Sequence, residues 1–161
     1  MNAPADSVRL IAENRRARHD YFVEETFEAG IVLTGTEVKS LRLGRLNLGD
    51  GYASIEHGEV FLRNVHISPY EQGNRFNPDP LRPRKLLLHR REILRLQVRL
   101  RERGMTLVPL SFYFRKGRVK VSLALARGKK LYDKRESQAR EETARRLRQV
   151  LRERERTSPS E

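Results

Sequence analysis

Between positions 20 and 28 the chain carries four carboxylates, Asp20, Glu24, Glu25 and Glu28. Grouped acids can hold a divalent cation that activates water, the chemistry of metal-assisted phosphodiester cleavage. Their setting argues against it, because neighbours on a strand leave on opposite faces and no His or Asp motif elsewhere completes a site. The four histidines, His19, His57, His66 and His89, lack ligand spacing. The absence of cysteine removes thiolate catalysis, disulfides and cysteine zinc sites together. The expectation is a protein with no catalytic residues, no metal and no cofactor.

Binding chemistry is better represented. Lys and Arg number 34 against 21 Asp and Glu, a formal net charge of +13 that calls for a polyanionic partner. An anionic membrane would ask for a lipidation signal, or for an amphipathic helix with Trp, Phe or Leu opposite the bases, and neither is evident. No segment approaches the roughly 20 apolar residues of a membrane span, and the first residues do not read as a signal peptide, so a cytoplasmic location is expected. The bases interleave with aromatics, as in Tyr70, Arg75, Phe76, Arg82 and Arg84. Cations screen phosphates and aromatic faces stack on unpaired bases, which favours RNA.

These side chains need elements to carry them. Residues 1–8 read as a loose leader, and Val8 to Ala12 as a short strand ahead of the basic cluster Asn14-Arg15-Arg16-Ala17-Arg18-His19. Phe27, Ala29, Ile31 and Leu33 alternate like a strand with one buried face, which turns Glu28 outward. Thr34 and Glu37 have capping-box spacing for a helix over 35–43, with Lys39 and Arg42 on its open face. Strands over 52–55 and 60–67 flank a turn at 56–59. The Pro-rich stretch 68–84 reads as a functional or disordered loop, and Ile93, Leu96 and Leu100 stripe a helix that ends at Gly104. Val108, Leu110, Phe112 and Phe114, then Val119, Val121, Leu123 and Leu125, form two alternating runs around Arg115-Lys116-Gly117-Arg118, the clearest hairpin in the chain. Short, mostly hairpin-connected strands with inserted helices give a mainly β fold, a small closed antiparallel OB-like barrel with peripheral helices over 9–128.

At Gly128-Lys129-Lys130-Leu131-Tyr132-Asp133-Lys134-Arg135 the grammar changes from alternating to Arg/Glu-rich and helix-periodic. Residues 129–161 form a basic tail in which Asp133 and Glu136 have capping-box spacing. The Glu136/Arg140, Glu141/Arg145 and Glu142/Arg146 pairs place the acid four residues before the base, the favourable order. The apolar stripe, Ala139, Leu147, Val150 and Leu151, is thin. The expectation is a tail that is mobile when free and helical when bound.

Five ordered motifs, Asn14-Arg15-Arg16-Ala17, Phe27-Glu28-Ala29-Gly30, Glu37-Val38-Lys39-Ser40-Leu41-Arg42, Arg84-Lys85-Leu86-Leu87-Leu88 and the Gly128 to Arg135 stretch, resemble the small protein B family. Its bacterial members bind transfer-messenger RNA (the SsrA RNA) in trans-translation. The resemblance runs from about Ile11 to Arg135. It departs at Gly51, where the family usually has Ser before the Tyr, and Gly51 should loosen that turn slightly. The resemblance implies a barrel that grips the tRNA-like end of transfer-messenger RNA and a tail that enters the vacant mRNA channel of a stalled ribosome. It puts Asn14, Glu28 and Leu87 on the RNA-contacting surface, and Tyr132, Asp133, Lys134 and Arg135 at the small-subunit decoding centre. Arg15, Arg16, Lys39, Arg42, Arg82 and Arg84 join the RNA set, and Lys129 and Lys130 the tail set, for their charge beside those motifs. A monomer is expected. The competing reading is a ribosome-associated OB-like protein that binds ribosomal RNA through the same bases.

Overall fold

In a computed structural model of the chain, the described residues are 7–157, with the side chains of 73–75, 130–137 and 157 set aside. They fall into two compact units that meet in sequence at Gly128 and Lys129. The first unit is mainly β, with an antiparallel sheet and helices.

Its elements are β1 (Val8–Glu13), α1 (Arg15–Asp20), β2 (Tyr21–Ile31), α2 (Gly35–Arg42), β3 (Leu46–Asn47), β4 (Tyr52–Glu56), β5 (Glu59–Arg63) and β6 (His66–Ile67). A 3-10 turn at Glu71–Phe76, β7 (Arg84–Leu87), α3 (Arg90–Arg99), β8 (Met105–Arg115) and β9 (Arg118–Gly128) follow. The sheet runs β1-β8-β4-β5-β7-β2-β9, and β9 pairs with β8 as well; β3 and β6 pair separately. Both tight hairpins turn on two residues with positive φ, His57-Gly58 and Lys116-Gly117, the conformation whose twist matches the flanking strands.

The main core gathers inward side chains of the sheet, Ala29, Val60, Leu62, Leu86, Leu107, Phe112, Val121, Leu123 and Leu125, with Leu41 of α2 and Leu96 of α3. Each large apolar side chain buried there contributes about 1.5–3 kcal/mol before entropy is charged against it. A second, smaller cluster, Ala17, Val108, Leu110, Ala124 and Ala126, lies where α1 packs on β8, with Tyr21 at its edge. The alternating run from Val108 to Phe114 is therefore not one face. Register shifts between Pro109 and Ser111, leaving Leu110 as an extra residue. Such a bulge resets the parity of the strand: Val108 and Leu110 face α1, whereas Phe112 and Phe114 face the main core.

Two other segments have structure that the sequence reading did not specify. The basic cluster is a six-residue helix, capped by Asn14. The Pro-rich stretch is tied down: Asn77 donates to Tyr70 O and accepts from Tyr70 N, each at 2.8 Å, and Ile67 N donates to Pro80 O at 3.0 Å. The capping box of α2 is present as read, Thr34 and Glu37 each accepting from the other's backbone N–H.

The second unit is the helix α4 (Lys129–Thr157), with Glu142 and Arg146 paired at 3.1 Å. Among the described residues no helix is long and apolar enough to cross a membrane.

Candidate nucleic-acid interface

Phe27 and Ala29 of β2 face the core, so Glu28 and Gly30 face outward. Gly30 pairs with Leu87 of β7 on one side and Lys120 of β9 on the other, and Lys120 pairs with Tyr113 of β8. Directly paired residues share a face. The register thus lays Leu87, Gly30, Lys120 and Tyr113 in a row across four strands, with Glu28 beside it and Arg115 and Arg118 paired at the hairpin end. A Cβ on Gly30 would lie 3.3 Å from Leu87 Cβ, so glycine leaves room for a leucine that is 52% exposed. Leu87, Ile31, Leu33 and Val38 meet Arg118 and Lys120 around a cleft of about 290 Å³.

Glu28 is held, not loose. Tyr113 donates its hydroxyl to Glu28 Oε2 at 2.5 Å and Arg115 donates Nη1 to the same oxygen at 2.7 Å. Burial and the carboxylate it faces push the Tyr113 hydroxyl up to about 12, so it stays a donor throughout the working pH range. Among the described residues, both donors that reach Glu28 sit on the same oxygen, Oε2. The family resemblance named Glu28 and Leu87, and the sequence reading did not include Tyr113, Arg115, Arg118 or Lys120, which the register brings beside them. Their signal was present: each occupies the polar phase of the alternating hairpin.

The other expected residues divide. Arg15 and Arg16 are exposed on α1, and Arg16 lies 3.3 Å from Asp20 and 3.5 Å from Asp50. Lys39 is exposed over the Tyr70 ring, 5.5 Å from its centroid, and Arg42 is exposed at the end of α2. Asn14, by contrast, is 4% exposed. Its Oδ1 accepts from Ala17 N at 3.1 Å, and its Nδ2 donates to Pro109 O at 3.0 Å and Leu48 O at 3.4 Å. The amide expected on the RNA-contacting surface is spent on joining α1 to β8 and to the loop after β3.

Arg84 is a correction. It is 1% exposed, and its guanidinium donates to Glu37 Oε2 at 2.5 Å, Val65 O at 2.8 Å and Pro80 O at 3.0 Å. A cation so enclosed reaches no phosphate. Half-buried Arg82 donates to both oxygens of the same Glu37. Burial would raise the Glu37 carboxyl, but hydrogen bonds from Arg82, the Thr34 N–H and Arg84, with the Arg84 charge, hold it below the usual range. Gly51 is also corrected. It is buried, donates to Leu48 O at 2.9 Å, and a Cβ there would meet Val65 Cγ2 at 2.7 Å, so the turn is tight rather than loosened.

The carboxylates of 20–28 are dispersed among cations: Asp20 with Arg16, Glu24 with Arg99 and Arg127, Glu25 with Arg95, and Glu28 with Arg115. Among the described residues no group of three His, Cys, Asp or Glu is placed to hold a metal. Of the tail motif, Lys129 is half-buried. The side chains of Lys130, Tyr132, Asp133, Lys134 and Arg135 lie outside those described. Farther along α4, Arg145, Arg148, Arg152 and Arg156 line one groove.

The model of a family described as SmpB protein matches residues 11–153. The chain belongs to the SmpB family. An SsrA-binding protein of Symbiobacterium thermophilum is 63% identical over 90% of this chain and 92% of its own length. One from Alkaliphilus oremlandii is 62% identical over 91% and 95%. A solved chain described as "tmRNA-SmpB: a journey to the center of the bacterial ribosome" has a TM-score of 0.63 at 55% identity, covering 73% of this chain and 83% of that one. The span matched by the SmpB model takes in the whole Glu28 face and most of α4.

Proposed function

We propose that this chain is a non-catalytic RNA-binding adaptor of ribosome rescue, working in the bacterial cytoplasm. It binds the tRNA-like domain of transfer-messenger RNA and delivers it to stalled ribosomes. The observation that carries this is membership of the SmpB family over nearly the whole chain, among relatives named for binding SsrA. Those names favour transfer-messenger RNA over a purely ribosomal RNA partner.

The Glu28 face is the surface assigned to that RNA. Leu87 offers an apolar platform for an unstacked base, Lys120, Arg115 and Arg118 screen phosphates, and the Glu28 oxygen left by Tyr113 accepts from a base amino group, which a cation cannot do. Arg15, Arg16, Lys39 and Arg42 add positive potential. The fold is read as a closed OB-like barrel over 9–128, because the pairings run from β8 through β4, β5, β7, β2 and β9 back to β8. Residues 129–161 are read as the arm for the mRNA channel, helical when bound, with Lys129, Lys130, Tyr132, Asp133, Lys134 and Arg135 at the decoding centre.

Two measurements test this. RNA that copurifies with the protein should be transfer-messenger RNA, and the isolated tRNA-like domain should bind far more tightly than generic tRNA. Truncation after Gly128 should keep that affinity and abolish tagging of stalled chains. Ribosome binding with no preference for the tRNA-like domain would refute the assignment.

A further inference from the structure

A second cleft, of about 290 Å³, opens between α1, the loop before β4 and the start of β8, and shares no lining residue with the Glu28 face. Its walls are fixed by local chemistry. Asn14 ties α1 to both other walls through Leu48 O and Pro109 O. Asn47 Oδ1 accepts from Gly49 N at 2.9 Å, and buried Gly51 lets the loop close on Val65 and Pro109. Arg16 spans the mouth between Asp20 and Asp50. The recess is therefore formed before any ligand arrives, as binding sites usually are.

Its lining is mixed in an informative way: Tyr21 and Tyr52, Thr106, one cation and two carboxylates. Asp50 is 82% exposed, with Arg16 at 3.5 Å as its ion-pair partner among the described residues. Hydrogen bonding from His19, opposed by desolvation and aided by Arg16, holds the Asp20 carboxyl below its ordinary value. Two carboxylates repel phosphate, so the interior of this recess does not take the polyanionic backbone that the net charge of +13 attracts, and only Arg16 at its mouth suits a phosphate. Carboxylates do accept from the exocyclic amino groups of bases, and tyrosine faces stack on bases.

We propose that the cleft takes one unpaired RNA base bearing an exocyclic amino group, stacked on Tyr52 and read by Asp50, with Arg16 at the flanking phosphate. The proposal deepens the RNA-binding reading and rests on it. It also gives Asn14 a part in RNA contact consistent with its burial: it is a positioning residue that holds the walls together, not a reader. The base can come from transfer-messenger RNA or from ribosomal RNA, and the chemistry is the same.

The test uses full-length protein with two probes, a transcript of the tRNA-like domain and vacant small ribosomal subunits. Tyr52→Ala should weaken one probe by roughly 5- to 150-fold, the range of one base stacked on one aromatic. Its salt dependence should be unchanged because no phosphate contact is lost. Tyr52→Phe should restore binding, and Asp50→Asn should weaken the same probe. A loss confined to the transcript puts the base in transfer-messenger RNA, and a loss confined to the subunits puts it in ribosomal RNA. Unchanged binding of both probes by Tyr52→Ala, or failure of Tyr52→Phe to recover, overturns the proposal. Wild-type protein that does not bind the transcript overturns the adaptor reading instead, and a loss on subunits would then still support the cleft.

Discussion

Replacing Glu37 by Gln should unsettle the β unit while changing almost no shape. Glu37 is 3% exposed and faces Arg84, itself 1% exposed, with Arg82 on the same carboxylate. Gln keeps the volume but leaves the Arg84 charge buried without its counter-ion, a loss of about 3–5 kcal/mol. Against a domain stability of about 5–15 kcal/mol this is large. With a urea m-value of about 2 kcal/mol per molar, the unfolding midpoint should fall by about 2 M with m unchanged. The pH dependence supplies a second reading. Because the folded pKa of Glu37 lies below its unfolded value, near 4.5, its stabilisation is complete above that value and is lost as pH falls through the folded pKa. The gap between wild type and Glu37→Gln should therefore be widest near neutrality and narrow in acid. A double variant, Glu37→Leu with Arg84→Met, should recover much of the loss, since apolar replacement of a whole buried pair is often neutral or better. An unchanged midpoint, or a gap that does not depend on pH, would refute the argument.

Arg84→Met should leave the salt slope of RNA binding unchanged, since Arg84 reaches no phosphate; Lys120→Ala should reduce that slope by about 0.7–0.9 if it neutralises one phosphate. Tyr113→Phe removes one of two donors to Glu28 and should weaken RNA binding by about 5-fold, a net hydrogen bond of about 1 kcal/mol, read by titration. Gly30→Ala forces a Cβ to 3.3 Å from Leu87 Cβ and should shift Leu87, lowering RNA affinity more than thermal stability.

Legibility followed the range of the interactions. The capping box of α2, the period-two strand around Glu28 and the two hairpins depend on neighbours a few residues apart, and the sequence displayed them. Arg84 was misread because its partner, Glu37, lies 47 residues away, and an arginine in a basic chain looks like any other cation. Asn14 was recognised from family motifs, but its burial depends on carbonyls of Leu48 and Pro109 that no local pattern announces. Helix α1 has six residues and no apolar stripe, only a cap and one buried alanine, so periodicity could not reveal it. The Glu28 face was half visible: alternation marked the outward residues, but only the register between β7, β2, β9 and β8 brought them together.

The extra residue at Leu110 has a consequence for how this chain tolerates changes of length. Deleting one residue elsewhere in β8 would invert every side chain beyond the cut, turning Tyr113 and Arg115 into the core. Deleting Leu110 itself would leave the pairings of Met105–Pro109 and Ser111–Arg115 with β9 as they are. What would go is Leu110's share of the contact with α1, its side chain and the carbonyl that receives Asn14 N at 2.7 Å. Losing one codon would thus loosen the α1 cleft while sparing the Glu28 face, so the two surfaces are separable by deletion as well as by substitution.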